Sequence, residues 1–122
     1  MSSSTVHTVL IVEDEALIAM SIEMQLQEMG YHTLVVSSIA EATAALVDRN
    51  IDLAILDYKL REGEKTTPVA EALHERRIPF VVCSGSQFND MAAIFEGVTV
   101  VPKPYTEELL ASAVSGALAT RH

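Results

Sequence analysis

A chain of 122 residues accommodates one ordinary domain of roughly 100 to 150 residues, and no room is expected for an appended effector domain. With 49% hydrophobic and 20% charged residues it can fill a core, unlike a disordered chain, and its formal net charge of −9 argues against a nucleic-acid backbone as direct partner. A single cysteine, Cys83, excludes an internal disulfide and gives no sign of an oxidising compartment, so a cytoplasmic protein is expected.

The opening MSSST is polar and lacks the basic and apolar segments of a secretory signal; residues 1–6 read as a frayed tail of a single domain spanning 1–122. No later apolar run approaches the roughly 18 residues that span a bilayer, so membrane insertion is not expected.

Apolar runs alternate with amphipathic stretches throughout, the pattern of an α/β fold with a parallel sheet covered on both faces. Five strand and helix pairs follow in order. The first strand is Val9–Val12. Ile18, Ile22, Leu26 and Met29 then recur at helical spacing, and Gly30 stands where a left-handed C-terminal cap is wanted. The second strand is Thr33–Val36, and Ser38 with Glu41 has capping-box spacing at the start of a helix through Ala42, Ala45 and Leu46. The third strand is Asp52–Leu56; Thr67 as N-cap and Pro68 in the first turn open a helix carrying Val69 and Leu73. Phe80–Cys83 is the fourth strand, and Asn89 caps a short helix with Met91, Ile94 and Phe95. After the fifth strand, Val98–Val101, Thr106 opens a last helix with Glu107 and Glu108 at its positive end, burying Leu109, Leu110, Ala113, Val114, Ala117 and Leu118.

Chemistry-bearing residues fall just past the carboxyl ends of these strands, the edge where open α/β sheets bind ligands. Glu13 and Asp14 follow strand one, Asp57 strand three, Ser84 strand four and Lys103 strand five. If the strand order is 2-1-3-4-5, strands one and three are neighbours and three carboxylates converge. Such a cluster needs a cation, and hard oxygen ligands suit Mg²⁺. A carboxylate beside that ion can accept a phosphoryl group when metal and cationic groups neutralise the transferring oxygens, for which Lys103 and the Ser84 hydroxyl are suitable. Gly85 leaves a side-chain-free approach. Taken singly, an Asp after a strand is more often a turn or cap residue than a nucleophile, and Glu13 and Asp14 could simply cap the first helix. The convergence of four strand ends reverses those odds.

The stretches VLIVEDE, LAILDYKL, FVVCSGS and VPKPY resemble the response-regulator receiver family over nearly the whole chain. That resemblance implies a flavodoxin-like (βα)5 doubly wound parallel sheet in order 2-1-3-4-5. By position it implies Asp57 as phosphoacceptor, Asp14 and Asp57 as direct Mg²⁺ ligands, Glu13 acting through water, a metal contact from the Lys59 backbone carbonyl, and phosphoryl contacts from Ser84 and Lys103. Within the family, IPFVVCSGS looks like a subgroup with a Pro-Phe-x-Phe-Ala-Thr-Gly signature, often stand-alone receivers of alphaproteobacterial signalling. The departures are Cys83 and Ser84 in place of that signature's Ala and Thr, and Val100 where receivers carry the Tyr or Phe of the usual aromatic switch.

The resulting expectation is a stand-alone response regulator phosphorylated on Asp57 by a histidine kinase or phosphotransfer protein, with Mg²⁺ as cofactor and altered protein binding as output. It is no enzyme beyond its own phosphorylation and dephosphorylation. The alternative is a constitutive pseudo-receiver interaction module, favoured by Val100. A small-molecule phosphatase fits less well, because Asp57-Tyr58-Lys59 lacks the second aspartate of an Asp-x-Asp nucleophile, and no Gly-rich loop follows strand one for a nucleotide or flavin. His7, His32, His74 and His122 show no ligand spacing and are assigned to the surface or incidental packing. Cys83 reads as a small buried residue, Met20, Met24 and Met29 as core or interface filler, and Tyr105 as packing at the sheet edge.

Overall fold

Apolar strand residues that alternate between two faces must be covered on both, and the chain does this with helices on each side of one sheet. The computed structural model describes residues 6–58, 60, 63–84, 98–102 and 106–119. Their elements are β1 (Thr8–Val12), α1 (Ala16–Glu28), β2 (His32–Val36), α2 (Ile39–Asp48), β3 (Leu53–Asp57), α3 (Thr67–Glu75), β4 (Phe80–Ser84), β5 (Val100–Pro102) and α4 (Glu107–Ala119). The strands are all parallel, in the order β2-β1-β3-β4-β5, as expected. The expected helix from Asn89 to Phe95, the tail residues 1–5, and Lys59, Gly85, Lys103, Tyr105 and His122 lie outside the described residues.

Period-two alternation sorts the core into two layers. Leu10, Val12, Ala54, Leu56 and Val82 meet Ala42, Leu46, Val69 and Leu73 of α2 and α3. Val9, Ile11, Leu53, Ile55, Val81 and Cys83 meet Ile22 and Leu26 of α1 and Leu110 and Val114 of α4. Every residue of central β3 is buried, and a fully buried Leu or Ile side chain contributes about 1.5–3 kcal/mol relative to exposure. This dry, two-sided packing makes the strand ends a rigid rim.

Local chemistry sets the helix ends. Tyr31 donates its N–H to the Leu26 carbonyl and Gly30 to Gln27, a Schellman closure with Gly30 at φ +95. The same closure ends α3, where Ile78 bonds Leu73 and Arg77 bonds His74, yet a non-glycine, Arg77, takes the left-handed position at φ 58. At α2 the Ser38 hydroxyl accepts from the Glu41 N–H at 3.1 Å, while the Glu41 carboxylate accepts from the N–H and hydroxyl of Ser37. Chiefly the Ser37 N–H, then its hydroxyl, hold the Glu41 carboxyl below its ordinary value of 4.5. The stabilisation from that cap is therefore present above the ordinary value and lost as pH falls through the lowered one.

Several expectations need correction. β3 runs to Asp57 and β4 to Ser84, so these two residues end their strands instead of following them. Asp52 lies just before β3, where its carboxylate accepts the Thr8 N–H at 2.8 Å and ties the amino end of β1. β5 is described as Val100–Pro102 and not Val98–Val101. Helix α3 is preceded by Thr66, not capped by Thr67, which is its first residue. Met20 and Met24 on α1, Met29 just past its end and Leu109 on α4 are exposed, because the helix faces that meet the sheet are filled by Ala19, Ile22 and Leu26 and by Leu110, Ala113, Val114 and Ala117. Of the reading of these methionines as core or interface filler, the core half is therefore overturned. Cys83 is buried, as expected. His7 packs beside Tyr31 with ring centroids 6.4 Å apart, and His32 and His74 are exposed.

Two substitutions isolate backbone strain from packing. A Cβ at Gly30 would meet no atom within 4 Å, so Gly30→Ala is expected to cost about 1 kcal/mol through φ alone. Arg77→Gly is expected to gain about 0.5 kcal/mol, since relief of left-handed strain exceeds glycine's extra unfolded-state freedom. Urea unfolding of both variants checks this, and shifts of the same sign would contradict it.

Candidate metal centre at the carboxyl edge of the sheet

Because β1 and β3 are hydrogen-bonded neighbours with Val12 level with Leu56, the residues just beyond these positions meet at one rim. One carboxylate oxygen from each of Glu13, Asp14 and Asp57 lies within 4.8 Å of the others. Glu13 is 3% and Asp57 9% exposed, so the cluster is largely withdrawn from water, while Asp14 is half-buried. The Glu13 N–H donates to the Val36 carbonyl at 3.0 Å, fixing the turn out of β1 against β2. Its carboxylate accepts the N–H of Glu15, the N-cap of α1, at 3.1 Å. Glu13 thus sits against the positive end of α1, which offsets part of the repulsion. Of the two residues expected to cap the first helix, Glu13 reaches its start through this bond, a role compatible with metal binding.

Ser84 is 3% exposed and ends β4 one residue beyond Cys83, the register partner of Asp57. Pro102, level with Ser84, ends β5 at the same edge. Four of the six expected site residues, Glu13, Asp14, Asp57 and Ser84, therefore stand at one sheet edge. Lys59 and Lys103 lie outside the described residues.

The loop after β3 folds back on that strand. The Gly63 N–H donates to the Leu60 carbonyl at 2.9 Å and the Leu60 N–H to Glu64 at 2.7 Å, closing a turn with Gly63 at φ +83. The Tyr58 N–H donates to the Cys83 carbonyl, and the Thr66 N–H to that of Tyr58. The Thr66 hydroxyl, fully buried, donates toward the Asp57 carbonyl at 2.8 Å and that of Tyr58 at 3.1 Å. Tyr58 is 1% exposed, and the Lys65 ammonium stands 5.9 Å from its ring centroid. Sequence reasoning missed Thr66. The signal was the pair Thr66-Thr67 before Pro68, in which either threonine could have been the cap.

The comparisons with known proteins agree with this geometry. A family model described as the response regulator receiver domain matches residues 9–115. The chain belongs to the response regulator receiver family. It is similar to SdrG from Sphingomonas melonis Fr1, at 43% identity and a TM-score of 0.82 over 95% of this chain and 99% of that one. The BeF3-activated conformation of SdrG gives a TM-score of 0.79 at the same identity and coverage. A response regulator receiver protein from Sinorhizobium medicae WSM419 is 28% identical, with a TM-score of 0.88 over 98% of this chain and all of that one, 100%. The curated phosphate regulon transcriptional regulatory protein PhoB of Pseudomonas aeruginosa is 43% identical over 53 residues, 43% of this chain but only 23% of that protein.

The fold is thus that of a flavodoxin-like receiver. Receiver domains belong to two-component systems, bind Mg²⁺ at an acidic pocket and interact with histidine kinases and phosphotransfer proteins; they are not generally classical enzymes. Among the described residues no helix is long and apolar enough to cross a membrane.

Like charges 4.8 Å apart repel by about 1 kcal/mol in bulk water and about 3 kcal/mol at an effective dielectric of ~20. Without divalent cation, Asp14→Asn is therefore expected to raise stability by about 1 kcal/mol, and added Mg²⁺ to raise the melting temperature of the wild type much more than that of the variant. Thermal unfolding in EDTA and in Mg²⁺ tests this. A variant less stable than the wild type in EDTA, with a wild type indifferent to Mg²⁺, would contradict it.

Proposed function

We propose that residues 1–122 form one receiver domain acting as a stand-alone response regulator in the cytoplasm. It takes a phosphoryl group on Asp57 from a histidine kinase or phosphotransfer protein, in a Mg²⁺-dependent reaction, and signals by altered protein binding. The observation that carries this is the convergence of Glu13, Asp14 and Asp57 within 4.8 Å at the ends of adjacent strands. The match to SdrG over 95% of this chain and 99% of that one supports the receiver reading along nearly the whole of residues 1–122. IPFVVCSGS supports membership of the subgroup with the Pro-Phe-x-Phe-Ala-Thr-Gly signature.

The donor set fits Mg²⁺. With metal–oxygen distances of about 2.1 Å, two ligands of one ion stand at most about 4.2 Å apart. Carboxylate oxygens that all lie within 4.8 Å of one another reach that span by a small side-chain adjustment or through one bound water. We assign Asp14, Asp57 and the Lys59 backbone carbonyl as direct ligands and Glu13 as a ligand through water. When bound, the ion neutralises the clustered carboxylates and the charge on the transferring phosphoryl oxygens. An Asp57 carboxylate oxygen attacks phosphorus, forming an O–P bond as the P–N bond of the donor phosphohistidine breaks, and the leaving imidazole nitrogen takes a proton from solvent. The Ser84 hydroxyl and the Lys103 ammonium contact phosphoryl oxygens. Water later cleaves the acyl phosphate and restores Asp57.

Intact mass after incubation with acetyl phosphate and Mg²⁺ tests the acceptor. One phosphoryl group is expected on the wild type and none on Asp57→Asn or in EDTA; equal addition to the variant, or none to the wild type, would overturn the assignment.

Val100 favours a second reading, a constitutive interaction module. With Thr99, Leu109, Ala113 and Gly116 it lines an open hollow of about 280 Å³ between β5 and α4. Backbone NMR during titration with beryllofluoride and Mg²⁺ separates the two readings. Shifts that spread from Asp57 to β5 and α4 are expected for a regulator, whereas shifts confined to the site, or none, would favour the constitutive module.

A further inference from the structure

Thr66 occupies the position before α3 where a threonine ordinarily accepts a hydrogen bond from the helix's own first turn. It makes no such bond, and its φ of −84 with ψ 14 is not the extended conformation of a regular cap. Its hydroxyl turns back to β3 instead, donating its one proton between the carbonyls of Asp57, at 2.8 Å, and Tyr58, at 3.1 Å. The Thr66 N–H adds a third bond, to the Tyr58 carbonyl at 3.0 Å. On the other side the Tyr58 N–H is held by the Cys83 carbonyl at 2.9 Å. The peptide unit that follows Asp57 is therefore gripped at both polar atoms, by β4 through its N–H and by Thr66 through its carbonyl. Thr66 is 0% exposed, so no water competes for these bonds.

We infer that Thr66 is a positioning residue for the Asp57 site: its buried hydroxyl locks the Asp57 and Tyr58 carbonyls and so fixes the direction of the Asp57 carboxylate toward Glu13 and Asp14. The inference rests on the Mg²⁺ and phosphoacceptor reading above and deepens it. The lock matters because Asp57 is the last residue of β3, paired with β4 through Cys83 but beyond the last β1 register pair at Leu56. A rotation of the following peptide would swing the carboxylate out of the cluster. The helix forgoes a capping bond for this contact, which marks it as serving the strand end and not α3. Groups that orient metal ligands in this way typically alter metal affinity by about 10- to 100-fold when removed.

Calorimetric titration of Mg²⁺ into the full chain, with thermal unfolding and the ¹³C carbonyl shifts of Asp57 and Tyr58, tests this on Thr66→Val and Thr66→Ser. Thr66→Val keeps the shape and loses the hydroxyl; Mg²⁺ affinity about tenfold weaker is expected, with both carbonyl shifts moved. Thr66→Ser keeps the hydroxyl and loses a buried methyl; affinity within about twofold of wild type is expected despite a lower melting temperature. Thr66→Val binding Mg²⁺ as wild type does, or the two variants losing affinity alike, would overturn the inference. If Thr66→Val does not fold, Thr66→Ser decides: retained affinity with lowered stability supports the positioning role, and lost affinity overturns it. A wild-type chain that binds no Mg²⁺ overturns the metal reading itself, an outcome the variants alone cannot produce.

Discussion

Electrostatic repulsion among three carboxylates governs this molecule. The parallel order places β1 beside β3, and the register brings Glu13, Asp14 and Asp57 to the same height at the sheet's carboxyl edge. Nothing in the folding of the apolar layers calls for that arrangement, since Leu10, Ile11, Leu53 and Leu56 would pack equally well beneath neutral rim residues. Keeping like charges this close carries an electrostatic cost that a bound cation would offset.

The rest of the structure holds that rim still. Leu10, Ile11, Val12, Ala54 and Leu56 are fully buried between the two helical layers, so the strand ends cannot relax apart without opening the core. Glu13 is tied to β2 through its N–H and to the start of α1 through its carboxylate, which leaves the acidic pair little freedom to separate. The loop from Tyr58 to Thr66 supplies the corresponding restraint at β3. Compact apolar packing below and directional hydrogen bonds above thus divide the work: the first sets where the residues stand, the second sets where their oxygens aim.

Much of this was legible in the sequence because the relevant signals are short-range and periodic. Alternating strands, the glycine after Met29 and the Ser38–Glu41 spacing all have local physical causes, and each is found where its cause places it. The convergence of Glu13, Asp14 and Asp57 was readable only once a strand order was assumed, since spacing along the chain does not say which strands are neighbours. What was not legible depended on three dimensions. Helical spacing marked Met29 and Leu109 as apolar without saying that Leu26 and Leu110 would take the buried face. The pair Thr66-Thr67 gave no way to tell which hydroxyl would cap the helix, and neither does so in the ordinary manner at α3. The hydroxyl that counts answers to a carbonyl nine residues earlier, a contact that no helix-start rule anticipates.

The most direct test of the central claim is a crystal structure grown in Mg²⁺ and beryllofluoride. One metal ion is expected, with oxygens of Asp14 and Asp57 at about 2.1 Å, and a beryllofluoride group on the Asp57 carboxylate. An ion bound elsewhere, or residues 13, 14 and 57 without metal at saturating Mg²⁺, would contradict it.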